Sequence, residues 1–215
     1  MFKIIKEISK GKTVMKAMTN FSVAQYTLKG KVVDVGAGAD IPSYQRFLKK
    51  SEGVKIINVD LDAKDDSNKI DLEKDKLPME DGSVDQVLMF NLLEHIYEHK
   101  FVLSEANRVL KNQGVLLGFV PFLIAYHPDP HDYFRYTKEA LYKLFKATSF
   151  DDISISSVGM GPFIANYNNI MVLFPIFIRV ILFPFYYILD LLLIKIKPSL
   201  KERFVLGYIF RVKKT

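Results

Sequence analysis

The stretch at residues 32–40, which reads VVDVGAGAD, limits the possible folds of this 215-residue chain more than any other segment. Its valines are β-branched and predict a buried parallel strand. Gly36 and Gly38 follow, and glycine allows a tight turn that brings backbone N–H groups close to a ligand. The stretch therefore predicts a strand that ends in a cofactor-binding loop. A strand-to-helix turn without a ligand is the alternative interpretation.

A second predicted strand, at residues 54–59, ends in Asp60. In dinucleotide-type folds an acid at this point binds the ribose hydroxyl groups. A solvated loop acid is the alternative, because more aspartates follow closely. The third glycine of the dinucleotide fingerprint is replaced by Ile41. That replacement favours a ligand without a pyrophosphate.

Strand and helix patterns alternate along the chain. Strands are predicted at 31–35, 54–59, 68–71, 84–90 and 114–120, and helices at 42–50 and 98–110. Thr137 is predicted to cap a further helix, and residues 152–158 and 204–213 read as strands. This alternation predicts an α/β fold with a doubly wound, mostly parallel sheet.

Six motifs in a fixed order resemble those of class I methyltransferases that use S-adenosylmethionine. They are VVDVGAG at 32–38, NVD at 58–60, IDL at 70–72, LPMEDGSVD at 77–85, NLLEH at 91–95 and RVLKNQG at 108–114. The resemblance covers residues 28–160 and is closest to the group with a Leu-Glu-His motif, including methyltransferases of glycan gene clusters. It implies a Rossmann-like fold with an antiparallel last strand, and S-adenosylmethionine as the cofactor.

The resemblance also implies which residues bind the cofactor. These are Asp34, Gly36, Gly38, Asp60, Asp71, Leu72 and Asn91. The glycine loop with Asp34 would face the methionine part, and Asp60 would hold the ribose. Asp71 and the Leu72 backbone would meet the adenine, and Asn91 would lie beside the sulfonium. The chain departs from the family pattern at Asp40, where a last loop glycine is common, and at 112–114, where Pro-Gly-Gly is usual.

Glu94 and His95, at the end of the NLLEH motif, also carry groups capable of catalysis. They are predicted to lie where a helix opens, at residues 93–97. There, a glutamate can complement the helix dipole and a histidine can cap or pack. Structural roles are therefore the preferred interpretation for both.

A polar loop, HPDPHDYFRYT at 127–137, follows the predicted fifth strand. Open α/β sheets bind their ligands at the carboxyl ends of strands, so this loop is the predicted acceptor side. It is similar to a His, Asp-Tyr and Arg-Tyr-Thr segment in methyltransferases of glycan clusters. His127 or His131 is the predicted general base, and Asp132 would orient it. Arg135 would grip a phosphate or carboxylate of the acceptor, or would pair with Asp132 to shape the loop.

Metal binding by this loop is not predicted. His127, Asp129 and His131 offer suitable ligand types, but prolines stand between them. The chain has no cysteine, which excludes a disulfide framework and a thiolate metal site.

A hydrophobic segment from Ile170 to Ile194 carries only two charged residues, Arg179 and Asp190. Its length could span a bilayer, whereas Pro175 and Pro184 predict short helical pieces. Because a strand of the same domain follows, a single crossing is not expected. Helices in the membrane interface or a re-entrant hairpin are predicted instead, with the aromatic residues at 185–187 (Phe185, Tyr186 and Tyr187) near the headgroups. A homodimer interface or an internal helical layer is the alternative.

The net charge of +6 belongs to the C-terminal part of the chain. Residues 162–215 hold eight Lys and Arg residues against Asp190 and Glu202, so the first 161 residues are neutral. Nucleic acid is therefore not a predicted partner, and the basic residues would face anionic lipid. Residues 1–10 show no export signal and read as an amphipathic helix.

Four parts of the chain are expected. They are a helical lid at 1–30, the S-adenosylmethionine-binding core at 31–161, a hydrophobic helical insertion at 162–203 and the last core strand at 204–215. The expected function is methylation of a hydroxyl on a saccharide or lipid-linked acceptor, in the cytoplasm at the inner face of the cytoplasmic membrane. Methylation of an isoprenoid quinone and a non-catalytic cofactor-binding scaffold are the alternatives.

Overall fold

The structure, a computed structural model, describes residues 1–38, 40–63 and 65–215. The chain forms two units. The helical unit contains residues 1–22, 121–126 and 157–208, and the sheet unit contains residues 23–120, 127–156 and 209–215. The division of the chain into lid, core, insertion and last strand stays a prediction.

The strands in chain order are β1 (Thr27–Leu28), β2 (Lys31–Val35), β3 (Lys49–Lys50), β4 (Lys55–Val59), β5 (Val84–Phe90), β6 (Leu110–Pro121), β7 (Phe150–Gly159) and β8 (Val205–Lys214). The helices are α1 (Phe2–Ile8), α2 (Val14–Val23), α3 (His99–Val109), α4 (Lys138–Ala147), α5 (Pro162–Ile170), α6 (Ile176–Ile196) and α7 (Leu200–Arg203). Short 3₁₀ helices cover Ser43–Arg46, Asp66–Asn68 and Met171–Leu173.

The described residues form a six-stranded sheet in the order β4-β2-β5-β6-β8-β7. Strand β2 pairs in parallel with β4 and β5, and β5 pairs in parallel with β6. The valines of β2 are fully buried because a central parallel strand has both faces covered. The predicted Rossmann-like α/β fold with a mostly parallel sheet is thereby confirmed.

The last strand, β8, runs antiparallel to both of its neighbours, as predicted. Its end lies beside the start of β6, where Lys214 Nζ donates to the Leu110 carbonyl. Its beginning lies beside the end of β6, where the Phe122 amide donates to the Leu206 carbonyl. On its other side, Lys213 pairs with Asp152 near the start of β7.

Local patterns gave a wrong prediction in three places near the cofactor loop. The helix at 42–50 is only the 3₁₀ turn Ser43–Arg46 followed by β3, because β3 pairs with β1. The strand at 68–71 is reduced to one bridge between Lys69 and Asp60. The helix opening at 93–97 is a turn, and α3 begins at His99. The Leu93 and Glu94 carbonyls accept hydrogen bonds from a distant loop and cannot continue a helix.

The helical unit packs around an apolar core that includes Ile8, Val14, Ile164, Tyr167 and Phe183. Pro175 caps α6, as a helix break at this position requires, but α6 continues through Pro184. The predicted break at Pro184 is therefore wrong. An internal proline costs a helix about 3 kcal/mol, and the burial of neighbouring side chains such as Phe183 can offset that cost.

The two faces of α6 have different surroundings. Phe183 and Asp190 on one face are fully buried, and the Asp190 carboxylate accepts hydrogen bonds from the Phe163 and Ile164 amides of α5. The opposite face leaves large apolar side chains exposed. Among the three aromatics predicted at the headgroups, Phe185 is exposed, whereas Tyr186 and Tyr187 pack against the core of the helical unit.

Candidate active site

The glycine loop lies where β2, β4 and β5 end at one edge of the sheet. The Gly36 amide donates to the Val59 carbonyl at 2.8 Å, and the Gly38 amide donates to Asp60 Oδ2 at 2.9 Å. The structure thus brings the loop next to the acid at the tip of β4. This is the arrangement that the sequence predicts for a nucleoside-containing cofactor.

Gly36 is required at its position by both conformation and space. Its φ is +75°, a region that residues with a side chain rarely adopt. A Cβ at this position would also lie 2.6 Å from Cδ1 of Leu92. Gly38 has a φ of +71°, but a Cβ there would meet nothing within 4 Å among the described atoms. The loop is thus packed tightly at Gly36 and is open at Gly38.

Asp34 lies beneath the loop and is fully buried. The Tyr44 hydroxyl donates to Asp34 Oδ1 at 2.8 Å, and Gln45 Nε2 donates to Asp34 Oδ2 at 2.6 Å. Burial raises the pKa of Asp34 to about 7 despite these bonds. Tyr44 and Gln45 were not predicted as site residues, because the segment they belong to reads as a helix. The contact of Asp34 with the methionine part stays a prediction.

The predicted adenine-binding residues follow the bridge to Asp60. The Ile70 amide donates to the Asp60 carbonyl, so Asp71 lies close to Asp60. The Asp71 carboxylate accepts from the Glu73 amide and from Lys74 Nζ, and these bonds lower its pKa, mainly through Lys74. Leu72 is buried. Asp71 is therefore held in a fixed turn, and its role toward adenine stays a prediction.

Asn91 ends β5 with an unusual backbone conformation. Its φ is +50°, and its amide donates to the Phe119 carbonyl of β6 at 2.9 Å. Its Oδ1 atom is buried and has no hydrogen-bond partner among the described residues. An unpaired buried polar atom costs about 1–3 kcal/mol, so a ligand that donates to it would be favoured. Asn91 thus fits a cofactor at this edge of the sheet.

A cleft of about 990 Å³ opens beside the loop. Gly38, Asp40 and Gln45 line it together with residues of β4, such as Asn58. The cleft is large enough for a nucleoside-sized ligand. Of the predicted cofactor residues, only Gly38 belongs to its lining.

The predicted acceptor loop docks on the turn that follows β5. The Tyr136 hydroxyl donates to the Leu93 carbonyl at 3.0 Å, and the Tyr133 amide donates to the Glu94 carbonyl at 2.7 Å. Asp132 organises the loop, since both of its oxygens accept from the Arg135 guanidinium and one also accepts from the His127 amide. These bonds lower the Asp132 pKa to about 2, chiefly through Arg135. The structure therefore shows the alternative role of Arg135, which is to pair with Asp132 and shape the loop.

Glu94, for which the sequence analysis preferred a structural role, is a functional candidate in the structure. Its side chain is fully buried, and neither carboxylate oxygen has a hydrogen-bond partner among the described residues. Burial raises its pKa to about 8. Glu94 Oε1 lies 3.7 Å from His95 Nε2 and 4.0 Å from His127 Nε2. The available signal was the place of the Leu-Glu-His motif, directly after the carboxyl end of β5.

The two predicted bases, His127 and His131, differ in their surroundings. Burial lowers the pKa of His127, so its imidazole is neutral near pH 7 and can accept a proton. His131 is exposed and packs its ring 5.2 Å from that of Tyr133. Its backbone carbonyl, not its imidazole, reaches the site, because it lies 2.5 Å from His95 Nδ1. The geometry favours His127.

Comparison with known proteins finds a match for the segment that contains the glycine loop. Residues 33–118 match a family described as "Methyltransferase domain". A protein of Mycobacterium tuberculosis named "Probable S-adenosylmethionine-dependent methyltransferase" is 28% identical over 93 residues. That match covers 40% of this chain and 34% of the relative, so the chain spans about a third of the relative's length.

Solved structures share the fold over nearly the whole chain. An S-adenosylmethionine-dependent methyltransferase from Archaeoglobus fulgidus has a TM-score of 0.60 at 16% identity, and the match covers 94% of this chain and 93% of that one. Phosphoethanolamine N-methyltransferase 2 of Haemonchus contortus, in complex with S-adenosyl-L-methionine, has a TM-score of 0.54 at 15% identity, covering 91% and 52%. At these identities the likeness establishes the fold.

Residues 33–118 thus resemble a methyltransferase domain, and the relative named as S-adenosylmethionine-dependent agrees with the expected cofactor. The glycine loop, Asp60 and the unpaired Asn91 oxygen lie at the edge of the sheet where such a cofactor fits. The individual contacts of these residues with the cofactor stay predictions.

Proposed function

We propose that the protein transfers the methyl group of S-adenosylmethionine to a hydroxyl of a saccharide or lipid-linked acceptor at a membrane surface. The observation that carries this proposal is the cluster of Glu94 and His127, in which Glu94 follows Asn91 and the carboxyl end of β5 by only a few residues. A hydroxyl is a weak nucleophile and gains from a base placed near the methyl donor. His127 supplies a proton-accepting group there.

Methyl transfer depends mainly on placement, because the sulfonium already carries a good leaving group. The acceptor oxygen would attack the methyl carbon in line with the breaking C–S bond. His127 would take the hydroxyl proton, and the Asp132–Arg135 pair would hold His127 through its amide and ring. The saccharide assignment is supported by the likeness of this loop to that of glycan-cluster methyltransferases.

The proposed reaction is tested with S-adenosylmethionine that carries a tritiated methyl group. The full chain is incubated with a bacterial membrane extract, and the label is followed into lipid-linked saccharide and quinone fractions. We expect label in the saccharide fraction that survives mild alkali, because a methyl ether is stable and a methyl ester is not. Label in quinones would favour the quinone alternative, and cofactor binding without transfer would favour the scaffold.

The membrane part of the proposal rests on the exposed face of α6. Large apolar side chains recur at helical spacing on this face, namely Phe177, Ile181, Phe185, Ile188 and Leu192. The basic residues Lys195, Lys197, Lys201 and Arg203 follow and are also exposed. An apolar stripe beside a basic cluster combines insertion into lipid with attraction to anionic headgroups.

Helix α6 spans 21 residues and is long and apolar enough to cross a membrane by length and composition. Its buried face, however, is part of the core of the helical unit together with α1 and α5. A helix with one face packed in protein and one face exposed is suited to lie in the membrane interface. We therefore propose that the exposed face of α6 rests on the cytoplasmic face of the membrane.

Replacing Phe177, Ile181 and Phe185 together with serine is expected to weaken binding to anionic liposomes at least tenfold. Each buried side chain of this size contributes about 1.5–3 kcal/mol when it leaves water. Cosedimentation with liposomes measures the effect, and the melting temperature checks that the fold is kept. Tyr142→Ser, which removes an exposed aromatic from α4, is the matched control.

High salt should weaken the unsubstituted protein only partly, since the apolar contribution is not screened. An unsubstituted protein that stays in the supernatant with anionic liposomes, and forms a dimer that the triple variant dissociates, would contradict the membrane assignment. That result would favour the homodimer interface.

A further inference from the structure

Three side chains of the sheet unit converge on one point beside the turn after β5. Glu94, His95 and His127 each direct one ligand atom there, and these atoms lie within 4.8 Å of one another. Two of the separations are 3.7 and 4.0 Å, both from Glu94 Oε1. Ligand atoms bound to one transition metal ion at about 2.0–2.2 Å lie slightly closer together than this. Small side-chain movements would therefore close the set around an ion.

In each histidine, Nδ1 is the ring nitrogen that does not face Glu94, and it lies near an oxygen atom. His95 Nδ1 lies 2.5 Å from the His131 carbonyl. Because a carbonyl only accepts, Nδ1 must carry the proton, and Nε2 of the neutral ring keeps its lone pair. His127 Nδ1 lies 3.4 Å from Asp132 Oδ2 and also 3.4 Å from Arg135 Nη2, so its partner is the carboxylate in the tautomer that carries the proton on Nδ1. A carbonyl or carboxylate on the other ring nitrogen is the usual arrangement of a metal-binding histidine, since it fixes the tautomer and the ring orientation.

The carboxylate of Glu94 provides an independent reason to expect a cation. It is fully buried, and both of its oxygens lack a hydrogen-bond partner among the described residues. A buried carboxyl group without a hydrogen-bond partner is costly, and a cation bound to its oxygens would remove that cost. Among the described residues, His95 and His127 each place a ring nitrogen within 4.0 Å of Oε1, and the positive charge of Arg135 also acts on the carboxylate.

We propose that Glu94, His95 and His127 bind one divalent transition metal ion, of which zinc is the type case. Two imidazoles and one carboxylate suit zinc better than magnesium, which prefers oxygen ligands only. Three protein ligands leave at least one coordination position open, as in catalytic zinc sites. The loop residue Asp129 is exposed and is not part of this set, which differs from the ligands considered from the sequence alone.

The role of the ion in the reaction, activation of the acceptor hydroxyl, rests on the proposed function. An acceptor hydroxyl bound at the open position would lose its proton to water more readily, because a bound cation lowers the pKa of the oxygen. The resulting alkoxide oxygen forms the C–O bond as the C–S bond of the cofactor breaks and neutral S-adenosylhomocysteine leaves. In the metal-bound form His127 is a ligand, and the ion replaces it as the group that activates the hydroxyl.

The test uses the full chain after treatment with a chelator, without cofactor or acceptor. Titration with Zn²⁺ by calorimetry is expected to show one site, and Co²⁺ is expected to give the visible absorption of a low-symmetry site with nitrogen ligands. Glu94→Gln preserves size and removes the charged ligand, and His127→Ala removes a second ligand. Each should weaken Zn²⁺ binding by at least about 100-fold, a loss above that typical of outer-shell changes.

Asp129→Asn is the matched control, because it removes a carboxylate from the same loop and should leave Zn²⁺ affinity near that of the unsubstituted protein. Absence of a Zn²⁺ site, or equal affinity in Glu94→Gln and the unsubstituted protein, would overturn the proposal. The titration does not depend on methyl transfer. A metal site without transfer would contradict the proposed function alone, and transfer without a metal site would contradict this inference alone.

Discussion

His127→Ala is expected to lower the rate of methyl transfer about 100-fold or more, while the affinity for S-adenosylmethionine stays near that of the unsubstituted protein. The reason is the position of the imidazole, whose Nε2 faces the buried Glu94 carboxylate at 4.0 Å. As a base or as a metal ligand, this nitrogen activates the acceptor hydroxyl, and such groups contribute roughly 10²–10⁴-fold. The tritium assay with membrane extract measures the rate, and calorimetry measures the cofactor affinity.

His131→Ala provides the comparison, because both histidines were predicted bases. Its imidazole is exposed, and its backbone carbonyl, which contacts His95, is kept in the variant. The rate should therefore fall much less than in His127→Ala. A full rate in His127→Ala, or a larger loss in His131→Ala, would contradict the assignment.

Gly36→Val is expected to destabilise the sheet unit by about 2–6 kcal/mol and to lower cofactor affinity at least 100-fold. Two costs add in this variant. A valine held at a φ of +75° is strained by about 1–3 kcal/mol, and its Cβ at 2.6 Å from Leu92 adds roughly 1–3 kcal/mol of overpacking. Because Leu92 adjoins Asn91 in sequence, relief of the clash would move Asn91, which is predicted to lie beside the sulfonium. Chemical denaturation and calorimetry measure the two effects.

Gly53→Val separates strain from the clash. Gly53 has the same φ of +75°, but a Cβ there meets nothing within 4 Å among the described atoms. This variant should lose only about 1–3 kcal/mol of stability and should keep its cofactor affinity. Equal cofactor affinity in Gly36→Val and the unsubstituted protein would show that the loop geometry does not matter for binding.

The parts of the fold that could be predicted are those fixed by local sequence. The buried valines of β2 and the apolar run of β5 predict central parallel strands within one residue of their observed bounds. The segment at 42–50 could not be predicted, because the pairing of β3 with β1 overrides its helical pattern. The prediction from Pro184 was wrong for a similar reason. The packing of α6 within the helical unit outweighs the hydrogen bond that the proline removes.

Some residues of the candidate site could likewise be predicted from local sequence, and others could not. The glycine loop and Asp60 could be predicted because each comes directly after the end of a predicted strand. Tyr44 and Gln45 are not, since their contacts with Asp34 depend on a turn whose shape the sequence does not reveal. The cluster of Glu94 with His127 joins residues 33 positions apart and exists only because the acceptor loop docks on the turn after β5.

Calorimetric titration with S-adenosylmethionine and with NAD tests the central claim, a cofactor site at the glycine loop and Asp60, most directly. The unsubstituted chain is expected to bind one S-adenosylmethionine and no NAD. Asp60→Ala should bind it more weakly by about 1.5–3 kcal/mol, roughly 10- to 100-fold, because hydrogen bonds to a charged acceptor are lost. Asp62→Ala, in the same turn, should keep its affinity. Tight binding of NAD without S-adenosylmethionine, or undiminished affinity in Asp60→Ala, would contradict the account.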